Sequence, residues 1–142
     1  MKIKTKAFGE IEISDKQRIY FEDGLLGFDD IKKFVLLDTD EDSPFYWLQS
    51  EEVTDIAFLV VDPNTFFVDY KNKFDKKDLA DIGVKDESEI LVFCILTVHD
   101  DFKASTVNLL GPIVINKLKR VARQVISLDD TCSVRHPLFS AE

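Results

Sequence analysis

The sequence is poor in the residues that carry most enzyme chemistry. Its only cysteines, Cys94 and Cys132, match no zinc or redox spacing, so we expect two reduced thiols. Its only histidines, His99 and His136, are too few for a histidine-rich metal site in one chain. A Gly-x-Ser-x-Gly elbow, a phosphate loop and a His-Glu-x-x-His pair are all missing. We therefore expect no catalytic residues, no cofactor and no metal.

Long hydrophobic runs are also missing. The longest apolar run, Ile90 to Val98, is broken only by Thr97 and has about half the residues that a membrane-spanning helix needs. The first ten residues, MKIKTKAFGE, lack the apolar stretch of a secretory signal. These features predict a cytoplasmic protein with no membrane partner.

The composition is that of a folded, acidic protein. Apolar residues make up 45% of the 142 residues and charged residues 32%, which predicts one domain spanning residues 1–142. The formal net charge of −9 repels a phosphate backbone, so we expect no direct nucleic-acid partner. The same charge favours a basic protein as partner.

Short apolar runs separated by acidic turns predict strands. Apolar residues alternate through Ile11 and Ile13, and further strand-like runs are Phe34–Leu37, Phe45–Leu48 and Ile56–Val61. The run from Ile90 is typical of a central strand buried on both faces. The two glycines of Gly24-Leu25-Leu26-Gly27-Phe28 predict a tight turn, and Asp29–Lys33 a short helical turn.

One helix is expected, from Lys76 to Ile82, with Asp75 as N-cap and Gly83 after its end. Residues 118–128 fit helical and strand spacing, and we favour a strand. The fold class expected is mainly β: a compact, small, β-barrel-like single domain with one short helix.

Two charged clusters resemble binding sites. Carboxylates alternate from Asp38 to Asp42, as they do at the start of a calcium-binding loop. However, Ser43 stands where that loop requires glycine, and Gln49 stands where it requires glutamate. A solvated acidic turn is therefore favoured. The basic cluster of Lys117, Lys119, Arg120 and Arg123 contains no aromatic residue. In an acidic protein we expect such cations to balance neighbouring carboxylates.

The segment Asp62 to Tyr70 is rich in aromatic residues. Proline, asparagine and aspartate predict a turn there, while the rings of Phe66, Phe67 and Tyr70 add apolar area that a plain loop does not need. These rings either cap the core or form a protein-binding hot spot. Because loops at strand ends often carry binding residues, we predict a partner-binding set. Its members are Phe66, Phe67, Asp69, Tyr70, Asp100, Asp101 and Phe102.

Several segments, in order across nearly the whole chain, together resemble bacterial flagellar assembly factors of the FliW family. They are Thr5 with Phe8–Ile11, Ile19–Phe21, Gly24–Phe28, Asp42–Phe45, Trp47–Ser50, Asp62-Pro63, Ser105-Thr106, Asn108-Leu109, Gly111–Asn116, Gln124-Val125 and His136–Leu138. Departures from the family pattern are Leu26, Gly111 and Cys132, and none of them removes a charged group. Trp47, Leu48, Pro112, Val114 and Asn116 are interpreted as fold determinants.

The resemblance implies a β-barrel-like, non-enzymatic regulator of flagellum assembly. Such proteins bind the carbon storage regulator CsrA, an RNA-binding dimer that represses flagellin translation, and they also bind flagellin. Accumulated flagellin would occupy the regulator and free CsrA to repress. One alternative is a flagellin chaperone without translational control. Another is a small-molecule-binding or catalytic barrel, which would need a deep polar pocket. His99 in the wall of such a pocket, with Asp100 or Asp101 to orient its imidazole, would favour this alternative.

Overall fold

A computed structural model describes residues 1–39, 42–67, 70, 73–129 and 131–138. Within them the chain forms eleven strands, two short α-helices and three 3₁₀ turns. The strands are β1 Lys2–Thr5, β2 Gly9–Glu12, β3 Arg18–Phe21, β4 Lys33–Asp38, β5 Phe45–Ser50, β6 Ala57–Val61, β7 Ile90–Thr97, β8 Thr106–Val107, β9 Ile113–Asn116, β10 Val121–Gln124 and β11 His136–Pro137. The helices are α1 Pro63–Phe66 and α2 Lys76–Asp81, and the 3₁₀ turns are Asp15–Gln17, Glu87–Glu89 and Phe102–Ala104.

Seven strands close into a barrel in the order β3, β4, β5, β6, β7, β9, β10, and back to β3. Every neighbouring pair is antiparallel except β10 with β3, which is parallel. Long strand β7 makes the closure possible, because its first half pairs with β9 while its second half pairs with β8. Strand β11 pairs with the other edge of β8, and β1 and β2 form a separate hairpin. The prediction of a mainly β, barrel-like fold is confirmed.

Side chains fill the interior of the barrel. The ten residues that form this core are Ile19, Phe21, Leu25, Phe34, Leu48, Val60, Phe93, Ile113, Ile115 and Ala122. Strand β7 is buried on both faces, as predicted: Phe93 points into this core, while Val92 packs under α2 and Cys94 packs in a separate outer cluster. The hairpin β1–β2 covers Val35 and Leu37 of β4 on another outer face.

The local predictions have mixed outcomes. Helix α2 has the predicted cap, since the Asp75 side chain accepts a hydrogen bond from the Lys77 amide. The ambiguous segment 118–128 contains strand β10, as favoured. The helical turn predicted at Asp29–Lys33 is wrong: hydrogen-bonded turns follow Leu25 and Phe28, and β4 begins at Lys33. Helix α1 was not predicted.

The residues interpreted as fold determinants are placed inside the structure. Leu48, Pro112 and Val114 are buried, and Trp47 packs against the hairpin cluster. Asn116 is 2% exposed and satisfies backbone groups at the end of β9, as expected. None of the helices among the described residues is long and apolar enough to cross a membrane.

Candidate partner-binding surface

Helix α1 fixes the start of the aromatic segment at the end of β6. Asp62 caps it by accepting a hydrogen bond from the Asn64 amide at 2.9 Å, and Pro63 occupies the first turn, where its missing N–H costs nothing. The helix ends at once, because the Phe67 amide donates to the Pro63 carbonyl and Phe67 is extended. One tight turn therefore sets the positions of Phe66 and Phe67.

Four aromatic rings and one imidazole lie in a continuous row, which we call the aromatic surface. The Phe45 ring stands 5.9 Å from that of Phe102 and 5.7 Å from that of Phe66. Phe66 is 6.4 Å from Phe67, and Phe67 meets the His136 imidazole edge-on at 4.9 Å. These separations are within the range of favourable aromatic contacts. Phe102 is 40% exposed, so one end of the row is open to a partner.

A cavity of about 370 Å³, the Tyr70 cavity, borders the aromatic surface. Its lining residues are Phe66, Phe67, Tyr70, Leu109, Asp129, Thr131, Cys132 and His136. The Tyr70 hydroxyl is buried and has no hydrogen-bond partner among the described residues. Burial is the main cause that raises the pKa of this phenol, so it stays neutral at physiological pH. The cavity thus has both apolar and polar walls, the polar ones from Asp129, Thr131 and His136, and a buried tyrosine hydroxyl lies next to it.

The two cysteines lie close to this cavity. Cys94 is buried in β7, and burial raises the pKa of its thiol. Cys132 lines the cavity, and burial also raises the pKa of its thiol, although a hydrogen bond with Ser127 opposes the shift. In both residues the raised pKa favours the protonated thiol over the reactive thiolate.

The acidic residues predicted beside Phe102 are exposed. Asp101 caps the 3₁₀ turn Phe102–Ala104 by accepting a hydrogen bond from the Lys103 amide at 3.1 Å, which fixes the position of Phe102. Asp100 is exposed just before it. The structure therefore joins Phe66, Phe67 and Phe102 through Phe45, and the Tyr70 cavity adds Tyr70.

One predicted residue of the surface is not described by the structure, and two residues of the surface were not predicted. Asp69 lies outside the described residues, as do Asp40 and Glu41 of the acidic turn. Phe45 and His136 were missed as members of the surface. The pairing of Phe45 with Val61, the last residue of β6, places Phe45 directly beside the Asp62 turn, and this hairpin register was the available signal.

Comparison with known proteins gives the family. The family model described as FliW protein matches residues 2–138. The chain belongs to the FliW family. A flagellar assembly factor FliW from Natranaerobius thermophilus is 39% identical over 141 residues, which cover 99% of this chain and 93% of that protein. One from Bacillus licheniformis is 41% identical, with 97% and 96% covered.

A solved structure agrees with the FliW assignment. A crystal structure of the flagellar assembly factor FliW superposes with a TM-score of 0.92 at 37% identity and covers 100% of this chain and 99% of that one. The resemblance inferred from the ordered motifs is thus confirmed, and this FliW protein has the fold of a flagellar assembly factor.

Proposed function

We propose that this FliW protein, acting in the cytoplasm as one domain, binds both CsrA and flagellin. Binding to CsrA relieves repression of flagellin synthesis, and accumulated flagellin reverses this by occupying the FliW protein. It performs no catalysis in this account. The proposal rests on the family and on the aromatic surface beside the Tyr70 cavity.

The aromatic surface has the character of a protein-binding hot spot. Binding energy at protein interfaces concentrates in aromatic residues that sit in or beside pockets. Phe102 is partly exposed, and Phe66 and Phe67 are half-buried. Tyr70 lines the neighbouring cavity, and its buried hydroxyl has no hydrogen-bond partner among the described residues. A partner side chain that enters the cavity would bury apolar area, and a rearrangement that exposes the buried hydroxyl would let it form a hydrogen bond with the partner.

Charge supports a basic partner. The formal net charge is −9, and Asp100 and Asp101 are exposed directly before Phe102. An RNA-binding protein such as CsrA presents basic residues, so opposite charges would speed the encounter while the acidic surface repels RNA. The association rate constant should fall as salt is added, because ions screen this attraction. A rate that does not depend on salt would contradict the electrostatic part of the proposal.

Two alternatives differ in what they require. A flagellin chaperone without translational control would bind flagellin through the same surface and leave CsrA untouched. A ligand-binding or catalytic barrel would need a polar interior pocket, whereas ten buried side chains fill this barrel and His99 is exposed outside it. The filled interior therefore weighs against the third possibility.

Matched alanine variants test the surface. Phe102→Ala should weaken binding of CsrA or flagellin by about tenfold or more, as expected for a hot-spot aromatic residue. Phe8→Ala is the control, because Phe8 is 45% exposed and lies in the β1–β2 turn, outside the aromatic surface. Both affinities can be measured by biolayer interferometry with immobilised partner. Equal loss in the two variants, or no loss in either, would contradict the assignment of the surface.

Tyr70→Phe probes the cavity. The change removes a hydroxyl that has no partner among the described residues, so the free protein should be as stable as before or slightly more stable. Binding should nevertheless weaken if a partner group satisfies this hydroxyl in the complex. Unchanged affinity for both partners would exclude the Tyr70 hydroxyl from the interface and leave the rings to be tested separately.

A further inference from the structure

The outer face of β3 carries a cluster of positive charge that the proposed function does not use. Four cations, Arg18, Lys33, Lys119 and Arg120, line one pocket of about 330 Å³ together with Tyr20. We call it the Tyr20 pocket. Such a concentration is unexpected in a protein whose net charge is −9.

The strand registers explain why these side chains meet. Arg18 and Tyr20 are two residues apart in β3 and share its outer face, because Ile19 and Phe21 between and beyond them are buried in the barrel. Lys33 lies directly opposite Tyr20 in β4. On the other side, the Tyr20 amide donates to the Arg120 carbonyl at 2.9 Å. Lys33 in β4 and Arg120, which directly precedes β10, therefore flank Tyr20 on its two sides.

The carboxylates in the pocket neutralise only one of these cations. Arg18 contacts Glu51 at 3.1 Å and Asp15 at 3.8 Å. Lys33 and Arg120 form no ion pair with any of the described residues. Lys119 lines the same pocket, but its ammonium group lies over Gly83. Two positive charges beside the 41% exposed Tyr20 thus lack an ion-pair partner among the residues that the structure describes.

Arg120 ends the turn between β9 and β10, where its amide donates to the Asn116 carbonyl at 2.9 Å. Arg120 has a φ of 56°, and it is the only non-glycine residue with positive φ among those described. This conformation is costly for a residue with a side chain, and glycine would adopt it more easily. A left-handed residue is common at the end of a hairpin loop, so the turn itself accounts for this conformation. The Arg120 side chain makes no ion pair within the described part of the chain.

We propose that the Tyr20 pocket binds a small phosphate-bearing anion. A phosphate group is close to doubly charged at neutral pH. This charge matches Lys33 and Arg120, the two pocket cations beside Tyr20 that form no ion pair with a described residue. Arginine offers two parallel N–H donors to phosphate oxygens, lysine a third donor and the Tyr20 hydroxyl a fourth. The site is distinct from the aromatic surface, and it does not depend on the identity of the protein partners.

The test is an NMR titration of the full-length chain with inorganic phosphate, at ionic strength held constant with sodium chloride. We expect saturable shifts centred on the amides of Tyr20, Lys33 and Arg120. Lys33→Ala and Arg120→Gly should each weaken binding by about tenfold or more, since each removes a positively charged side chain that donates hydrogen bonds to the phosphate. Arg120→Gly should also keep or raise the thermal midpoint, because glycine relieves the positive φ. The control Lys4→Ala removes an equal charge from the exposed face of β1 and should leave the affinity unchanged.

Further probes identify the source of the phosphate. Saturable binding of either probe would support the proposal. A nucleoside monophosphate that binds more tightly than inorganic phosphate would indicate a phosphate ester as the ligand. Tighter binding of inorganic phosphate would indicate free phosphate. Shifts that do not saturate, or an equal loss in Lys4→Ala, would overturn it. Binding of an RNA oligonucleotide without saturable binding of phosphate would also overturn it and indicate a nucleic-acid surface instead.

Discussion

Asn116 joins the end of β9 to the end of α2, and its removal should be costly. The side chain donates from Nδ2 to the Ile82 carbonyl at 2.9 Å in a buried hydrogen bond. Its Oδ1 accepts from the amides of Leu118 and Lys119 at 3.0 and 3.1 Å, where water has partial access. Asn116→Ala leaves one buried carbonyl and two partly buried amides without these bonds. The loss sums to about 3 kcal/mol of unfolding free energy.

Urea denaturation followed by circular dichroism measures this loss. A change of about 3 kcal/mol should lower the thermal midpoint of a chain of this size by about 10 °C. The slope of unfolding free energy against urea should stay constant, because the surface exposed on unfolding is nearly the same. Asn64→Ala, at an exposed position of α1, is the matched control. A loss below about 1 kcal/mol, or one equal to that of the control, would refute the reasoning.

Three further predictions concern turns, thiols and ion pairs. In urea denaturation, Gly24→Ala should lower the free energy of unfolding by about 3 kcal/mol and Gly27→Ala by about 1 kcal/mol. Both glycines have positive φ, but only at Gly24 would the new Cβ lie 2.5 Å from a backbone oxygen. Equal losses in the two variants would contradict this reasoning. In thiol labelling of the native protein, Cys94 should stay protected, and Cys132 should react slowly at neutral pH. The labelling rate of Cys132 should increase as the pH rises, because its raised pKa shifts thiolate formation to higher pH. Fast labelling of Cys132 at neutral pH would contradict this prediction. Arg123→Met should lower the free energy of unfolding by about 1 kcal/mol at low salt, because the Arg123 guanidinium contacts three carboxylates. The loss should be smaller at high salt, because ions screen these contacts. A loss that does not depend on salt would refute this prediction.

Periodicity predicted most of the barrel because strands buried on both faces leave a clear apolar signal. The run from Ile90 became β7, and the runs at Phe34, Phe45 and Ile56 became β4, β5 and β6. Barrel closure was harder to predict in detail, since it depends on β7 pairing with β9 in one half and with β8 in the other. Such a division of one strand between two partners has no signature in local sequence.

Short elements were the main misses. Helix α1 is only four residues long, so its capping signal of Asp62 and Pro63 is equally compatible with a plain turn. The basic cluster was predicted to balance carboxylates, and this holds for Arg123, which contacts Asp23, Asp78 and Asp81. It does not hold for Arg120, which the parallel pairing of β10 with β3 brings beside Tyr20 instead.

The candidate surface was predictable in part. The excess of aromatic residues after Asp62 indicated Phe66, Phe67 and Tyr70, and all three lie in or beside one cavity. Phe102 was predicted in the same set, but its link to the other rings through Phe45 could not be predicted, because Phe45 connects the two segments only in the folded chain. The part that each residue plays in binding stays a prediction.

The most direct test of the proposed function is calorimetric titration of this FliW protein into CsrA from the same organism, repeated with flagellin already bound. We expect a saturable complex with CsrA that is lost or strongly weakened when flagellin is present. Failure to form a complex between the two folded proteins would contradict control of CsrA and favour a flagellin chaperone. Binding of CsrA that flagellin leaves unchanged would contradict the partner switch.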